Sequence, residues 1–212
     1  MEAGLSEDRR TVRARQQREQ RRLQLLEAGL TVFAARGYHA TGVADIIEEA
    51  GVARGTFYLY FESKRALFDA VLDEQLAAVE EGIHRVDVSP GATPALDQLR
   101  ANVRWLLQLP ETRPRLVQLF LWEAVGLDEK TDAKLDSFHQ RIFALTRRSL
   151  VLGTALGLVR ECDPDIVARA LVGMVKEVMV SLTVRKDLPE PDVDRLADEI
   201  LDLATGGVLR LE

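Results

Sequence analysis

The chain has 212 residues, 47% of them hydrophobic, and a net charge of −6. This length can bury one large core or two small ones, and the negative net charge excludes a generally adhesive polycation. With one cysteine, Cys162, no intramolecular disulfide can form, and we find no apolar run long enough for a signal peptide or membrane span. We therefore expect a cytoplasmic protein.

The positive charge is concentrated near the N-terminus. Residues 9–22 contain seven arginines and one acidic residue, Glu19. This basic arm, residues 1–21, is either a flexible arm that follows a DNA backbone or enters a minor groove, or a solvated extension of the first helix. The absence of glycine and proline from Arg9 to Ala28 favours a helix for its later part. We expect Arg21 and Arg22 to lie near phosphates.

Residues 41–61 have the pattern of two short helices joined by a turn. Val43, Ile46, Ile47 and Ala50 recur at helical spacing behind Thr41, which we expect to cap the first helix. Gly51 ends that helix and opens the turn. Two short helices with a glycine-containing turn between them indicate a helix-turn-helix, the motif that holds a recognition helix in a DNA groove.

The second of these helices has one core face. At about 100 degrees per residue, Phe57 and Phe61 fall on the same side. The remaining faces carry hydrogen-bond donors, aromatic rings and a glycine: Arg54, Gly55, Thr56, Tyr58, Leu59 and Tyr60. Arginine can bind guanine in bidentate fashion, leucine can contact a thymine methyl group, and glycine allows close approach of the backbone. We therefore interpret this as the recognition helix.

Residues 22–72 resemble the DNA-binding domain of the TetR family of bacterial transcriptional regulators. The matching positions are Leu26, Ala28, Phe33, Gly37, Tyr38, Thr41, Asp45, Ile46, Ala50, Gly51, Val52, Gly55, Thr56, Phe57, Tyr58, Tyr60, Phe61, Ser63, Lys64 and Leu67. The resemblance implies base contacts from Arg54, Gly55, Tyr58 and Leu59, and phosphate contacts from Thr41, Thr56, Tyr60 and Lys64.

Two positions depart from the commonest pattern of that family. Gly42 stands where a second threonine or serine is usual, so one phosphate-binding hydroxyl is missing, although its N–H at a helix start can still bind a phosphate. Ala53 stands where a capping serine is frequent, which should weaken the start of the recognition helix by about 1 kcal/mol.

The rest of the chain has the periodicity of longer helices. We predict helices at Lys64 to about His84, Pro94–Leu109, Leu116–Val125, Leu135 to Gly157, and Asp163 to about Arg185. Pro189 and Pro191 should introduce a last helix, which Gly206 and Gly207 should close. Leu96, Leu99, Val103 and Leu106 should form the inward stripe of the second helix in this series. Pro110 and Pro114 should bracket the break after it.

The expected fold is all-α in three parts. Residues 1–21 form the basic arm, 22–68 a three-helix helix-turn-helix domain, and 69–212 a helical ligand-binding and dimerisation bundle. The family resemblance implies a homodimer through the helices at about 163–185 and 192–204, where the apolar surface exceeds one packing face. A wholly internal helix of a monomer is the alternative. A dimer would read an inverted repeat with half-sites about 34 Å apart.

The resemblance also implies a cavity for a small-molecule effector. The candidate lining residues are Trp105, Phe120, Glu123, Phe138, Phe143 and Met174, with Trp122 as a further aromatic. For each aromatic, an ordinary core position is at least as good an interpretation. Glu123 and Gln118 can orient a polar or cationic ligand, or can form a salt bridge or face solvent.

We find no signature of an enzyme. His39, His84 and His139 lie on separate segments without metal-ligand spacing, and no phosphate loop or nucleophile elbow is present. We therefore expect no catalytic residue, metal or cofactor. The predicted function is a DNA-binding transcriptional regulator, a repressor released from its operator by a small ligand. The alternative is a dimeric DNA-binding factor controlled by a protein partner, with no small ligand.

Overall fold

The computed structural model describes residues 2–120, 124–185 and 192–208, and every regular element in these ranges is helical. The helices are α1 (Glu2–Ala40), α2 (Val43–Ala50), α3 (Arg54–Tyr60), α4 (Lys64–Gly82), α5 (Ala95–Thr112), α6 (Pro114–Gln118), α7 (Glu129–Ala155), α8 (Pro164–Val180) and α9 (Val193–Val208). They form two compact units, residues 1–75 and 76–212. The predicted all-α fold is confirmed. None of the helices described is long and apolar enough to cross a membrane.

Helix α1 contains most of the basic arm, so the later part of the arm is helical as predicted. The helix is interrupted at Gly37, whose φ of 78° and ψ of 163° are readily adopted only by glycine. Its inner side contributes Leu25 and Phe33, both 0% exposed, to the core of the first unit. The kink at Gly37 turns the chain toward α2.

The core of the first unit joins α1 and α4. Phe33 meets Phe68 edge to face, with ring centres 5.1 Å apart. Leu67, Val71 and Leu72 of α4 are buried. A Cβ at Gly29 would lie 2.9 Å from Leu67 Cδ2, so this glycine lets α4 pack closely on α1.

Helix α5 differs from its prediction at both ends. It does not stop at Leu109 but continues through Pro110 to Thr112, since a proline in the last turn removes one hydrogen bond and Arg113 N still donates to Leu109 O at 2.8 Å. The predicted stripe is also only partly inward, with Leu96 and Leu99 41% and 37% exposed. The best-buried side of α5 instead carries Leu107, which packs with Ala197 and Ile200 of α9.

Two further predicted boundaries were wrong. Helix α6 has five residues and ends at Gln118, followed by a π-helical turn at residues 119–120, so Leu116–Val125 is not one α-helix; residues 121–123 lie outside the described ranges. Helix α9 continues past Gly206 and Gly207 to Val208, because glycine can adopt helical backbone angles as well as end a helix. Pro189 and Pro191, expected to introduce α9, also lie outside the described ranges.

Helix α8 begins as predicted. Asp163 is its N-cap, with Oδ1 accepting from Asp165 N at 2.9 Å, and Pro164 occupies the first turn. The helix passes into a π-helical turn, Ser181–Arg185, so the described helical path reaches the residue to which the sequence predicted it would extend. Helices α7 and α8 are antiparallel neighbours, since Arg147 pairs with Asp165 while Arg169 lies 5.5 Å from the ring centre of Phe143.

Candidate DNA-contacting surface and ligand cavity

The residue that caps α2 is Gly42 rather than Thr41. The Asp45 carboxylate accepts from Gly42 N at 2.7 Å, whereas the Thr41 hydroxyl donates to Gly37 O at 2.7 Å and so closes the kink at the end of α1. Thr41 is 2% exposed. In this arrangement the Thr41 hydroxyl is inside the unit and the Gly42 N–H is already bonded, so neither group is presented to a phosphate.

The turn between α2 and α3 has the predicted form. Gly51 is left-handed, with φ 61° and ψ 37°, and its N–H donates to Glu48 O while Val52 N donates to Ile47 O. Helix α3 then starts after Ala53, which has no side-chain oxygen to cap it. The recognition helix is therefore held by packing rather than by its own N-cap.

Helix α3 divides into a buried and an exposed side as its sequence indicated. Phe57 is 0% exposed, and Phe61, the residue after the helix, is 6% exposed. On the outer side Leu59 is 74% and Tyr58 46% exposed, and Arg54 lies with its guanidinium carbon 5.9 Å from the centre of the Tyr58 ring. The other predicted contacts of this helix are Gly55, which is exposed, and Thr56 and Tyr60, which are half-buried.

Lys64 begins α4 and is half-buried against the end of α1. Its Nζ donates to Tyr38 O and to Thr41 O, both at 2.7 Å, and lies 4.2 Å from the centre of the Tyr38 ring. An ammonium group has three donors, so one remains for a phosphate after these two bonds. The structure therefore gives Lys64 a second, structural role that the sequence did not indicate.

The arginines at the end of the basic arm lie on α1. Arg21 is exposed and donates from Nη1 to Gln24 Oε1 at 2.7 Å, and Gln24 donates in turn to Ala50 O at the end of α2. Arg22 is half-buried, 3.8 Å from Glu19. Gln24, which connects α1 to the helix-turn-helix, was missed because an isolated glutamine in a basic helix carries no sequence signal.

The second unit contains a cavity of about 610 Å³. Its lining is mainly aliphatic and comes from α4 to α9, with Phe120 and Phe138 as the aromatic contributors. Trp105, Phe143 and Met174, also expected from the sequence, do not line it. Trp105 packs on Gly82, Phe143 faces Arg169, and Met174 falls outside the face of α8 that presents Leu171, Val172 and Val175. Glu123 and Trp122 lie outside the described residues.

Five basic or titratable side chains of the cavity lining were missed as site residues: His84, Arg85, His139, Arg148 and Lys176. Burial, and secondarily the positive charge of Lys176, lowers the pKa of His139 below its ordinary value of 6.5, partly opposed by Asp136. Within the described residues, the guanidinium groups of Arg85 and Arg148 form no hydrogen bond or ion pair. The only sequence signal was Lys176 within the apolar run of α8.

A helix-turn-helix unit followed by an all-helical unit defines a DNA-binding transcriptional regulator. The sequence model for bacterial regulatory proteins of the tetR family matches residues 25–71, and that for a tetracyclin repressor-like C-terminal domain matches residues 92–180. The chain belongs to the TetR family. The family resemblance inferred from residues 22–72 is thereby confirmed.

Three known proteins are similar to this chain over most of its length. The fatty acid metabolism regulator protein of Bacillus subtilis is 33% identical over 193 residues, which are 91% of this chain and 97% of that protein. The crystal structure of FadR from Bacillus subtilis in complex with stearoyl-CoA covers 87% of this chain and 98% of its own, with a TM-score of 0.72 and 22% identity. AibR in complex with isovaleryl coenzyme A and operator DNA covers 86% and 97%, with a TM-score of 0.67 and 22% identity. The first two of these proteins are described as regulators, which is the class expected for this chain.

Proposed function

We propose that the protein is a homodimeric cytoplasmic repressor that leaves an inverted-repeat operator when a fatty acyl-CoA thioester occupies the cavity. DNA binding is assigned to residues 22–68, and ligand binding and dimerisation to residues 69–212. The observation that carries the proposal is the cavity of about 610 Å³ in the second unit. Protein interiors are normally close-packed, and a space of this size is typical of ligand sites.

The chemistry of the cavity supports an amphipathic anion. An acyl chain suits walls of leucine, valine and isoleucine, because burying its methylene groups is favourable by about 0.8 kcal/mol each. Arg85, Arg148 and Lys176 offer positive charge for phosphate groups. Two structural relatives were solved with acyl-CoA thioesters, stearoyl-CoA and isovaleryl coenzyme A. A regulator controlled only by a protein partner would have no need of such a cavity.

The exposed side of α3 is the proposed base-reading surface. Arg54, Gly55, Tyr58 and Leu59 lie on this side, all of them exposed. Phosphate contacts are assigned to Arg21, Arg22, Thr56, Tyr60 and the remaining donor of Lys64. Thr41 and Gly42 are left out of this set, because their polar groups are bonded inside the unit.

The proposed dimer forms through α8 and α9. Ile166 is 67% exposed on α8 and Leu203 is 65% exposed on α9. Large apolar side chains exposed on neighbouring helices are typical of a surface that binds another protein chain. A Cβ at Gly173 would meet no atom of the described residues within 4 Å, so a second copy can approach this part of α8 closely. The variant Gly173→Leu should weaken dimerisation in sedimentation experiments without unfolding the protein, and an unchanged dimer would contradict this interface.

The proposed mechanism is a shift between two populations. Helix α4 is continuous from Lys64 beside the helix-turn-helix to Gly82 next to the cavity lining. A ligand that binds one position of α4 more tightly shifts the dimer to the spacing of recognition helices that this position sets. Only that difference in affinity can drive release.

The test is a selection of random duplex DNA by the purified protein over a range of salt concentrations, followed by titration with acyl-CoA thioesters. We expect an inverted repeat with half-sites about one helical turn apart, and release by stearoyl-CoA or a shorter thioester. Coenzyme A alone is the control for the phosphate groups. Specific binding that no thioester reverses would favour the protein-partner alternative.

A further inference from the structure

Residues 83–88, here called the strap, are the first half of the connection between α4 and α5, and they form neither a helix nor a strand. Four of them, Ile83, His84, Arg85 and Val86, line the cavity. The strap therefore begins directly after Gly82, the last residue of α4, and forms part of the wall against which a ligand would lie. A change in its position reaches α4 through a single peptide bond.

Two side-chain amides of α5 hold the backbone of the strap. Asn102 Oδ1 accepts from His84 N at 3.0 Å and its Nδ2 donates to His84 O at 2.7 Å. Gln98 Oε1 accepts from Asp87 N at 2.7 Å and its Nε2 donates to Asp87 O at 2.7 Å. Each amide pairs with a peptide N–H and C=O as a neighbouring strand would. Asn102 and Gln98 are four residues apart, so both lie on one face of α5.

The junction with α4 is held by a different contact. A Cβ at Gly82 would lie only 2.0 Å from the Trp105 ring, so this ring packs directly on the helix end. Trp105, Asn102 and Gln98 thus contact successive positions of the α4–strap segment, which runs antiparallel to α5. The hydrogen bonds made by the two side-chain amides are exposed to solvent, where water can replace them. The strap can therefore separate from α5 at a low cost in free energy.

We propose that Asn102 and Gln98 are positioning residues that hold the strap on α5, and that a ligand in the cavity acts on α4 by displacing the strap. This inference rests on the proposed function, since it presupposes an acyl-CoA ligand and its antagonism with DNA. It assigns the coupling between the two binding events to two amide side chains that are hydrogen-bonded to the strap backbone.

The test measures coupling rather than affinity. The variants Asn102→Asp and Gln98→Glu keep the shape of the side chain but replace the donating NH₂ with an oxygen. In Asn102→Asp this oxygen repels the carbonyl of His84, and in Gln98→Glu it repels those of Asp87 and Thr93, both of which accept from Gln98 Nε2. Gln140→Glu, at an exposed position of α7 outside the cavity lining, is the matched control. The Kd for stearoyl-CoA is measured with and without operator DNA. The coupling is the Kd with operator divided by the Kd without it.

We expect Gln140→Glu to keep the wild-type ratio and each strap variant to lower it at least about fivefold, a change as large as the weakest typical allosteric coupling. A residue that merely shapes the wall would change both Kd values equally and leave the ratio unaltered. If the wild-type protein and all three variants show the same ratio above one, the role of the strap is disproved while the proposed function stands. A ratio of one in the wild-type protein disproves both.

A second measurement needs no change in the strap. In the variant Trp122→Phe, Trp105 is the only remaining tryptophan. It does not line the cavity, so its emission reports the contact with Gly82 rather than contact with ligand. Saturation with stearoyl-CoA should shift this emission, and an unchanged spectrum at saturation would overturn the proposal even if the strap variants fold poorly.

Discussion

Lys64 is hydrogen-bonded to the main chain of Tyr38, with Nζ 2.7 Å from the carbonyl oxygen and 4.2 Å from the centre of the tyrosine ring. The same ammonium group donates to Thr41 O at 2.7 Å. The first residue of α4 therefore satisfies main-chain carbonyls at the end of α1, next to the start of α2. A residue expected to bind phosphate is thus also part of the frame that holds the helix-turn-helix.

The variant Lys64→Ala should have two separable effects. Loss of two charge-assisted hydrogen bonds should lower the free energy of unfolding by about 2 kcal/mol, as measured by urea denaturation. Loss of a phosphate contact should weaken binding equally across operator sequences and reduce the salt slope by about one unit. If stability falls while the salt slope stays the same, Lys64 has only the structural role.

Arg54→Ala should relax sequence preference at one base pair in each half-site. The guanidinium lies beside Tyr58 on the exposed side of α3, where it can reach a base edge, and losing such a contact reduces discrimination by about 1–3 kcal/mol. Repeating the DNA selection with this variant checks the prediction, with Arg113→Ala in the second unit as the control. An identical preferred sequence would show that Arg54 does not read a base.

The two sides of α3 should respond oppositely to truncation. Phe57→Ala removes a ring that is 0% exposed and should destabilise the protein by about 3–5 kcal/mol. Leu59→Ala, at 74% exposure, should change stability by less than about 0.5 kcal/mol yet weaken operator binding. Denaturation and DNA titration on the same two proteins give the comparison. Full operator affinity in Leu59→Ala would place this side of α3 away from DNA.

Gly82→Ala should destabilise the second unit through overpacking. The added Cβ would lie 2.0 Å from the Trp105 ring, which must then move, at a cost of about 1–3 kcal/mol. Gly206→Ala is the matched control, since a Cβ there meets no described atom within 4 Å. Thermal unfolding of both variants decides the matter, and equal melting temperatures would argue against close packing of Trp105 on Gly82.

His139 should make stability depend on pH. Its pKa is lowered in the folded state by burial and by Lys176, so below about pH 6.5 the unfolded chain binds more protons than the folded one. Stability should therefore fall as the pH drops from 7 through 6.5 toward the folded pKa. His139→Gln should reduce this decline in urea denaturation across pH, whereas His39→Gln, at an exposed position, serves as the control. A decline of equal size in His139→Gln would assign it to other groups.

Much of this protein could be predicted from sequence because its signals are local. The periodicity of Phe57 and Phe61, the left-handed glycine at position 51 and the Asp163–Pro164 start are set by residues a few positions apart. Such patterns specify the helices and the exposed side of α3. They also identified the family, because the helix-turn-helix motif is contained within a single short segment.

What only the tertiary structure decided involves residues far apart in the chain. The bonds from Lys64 to Tyr38 and Thr41 span 26 and 23 positions, and those from Asn102 to His84 span 18. Trp105 was expected in the cavity but packs on Gly82, while His139 and Lys176 line the cavity instead. Helical periodicity tells which residues share a face, but the neighbour that covers this face depends on how the helices assemble.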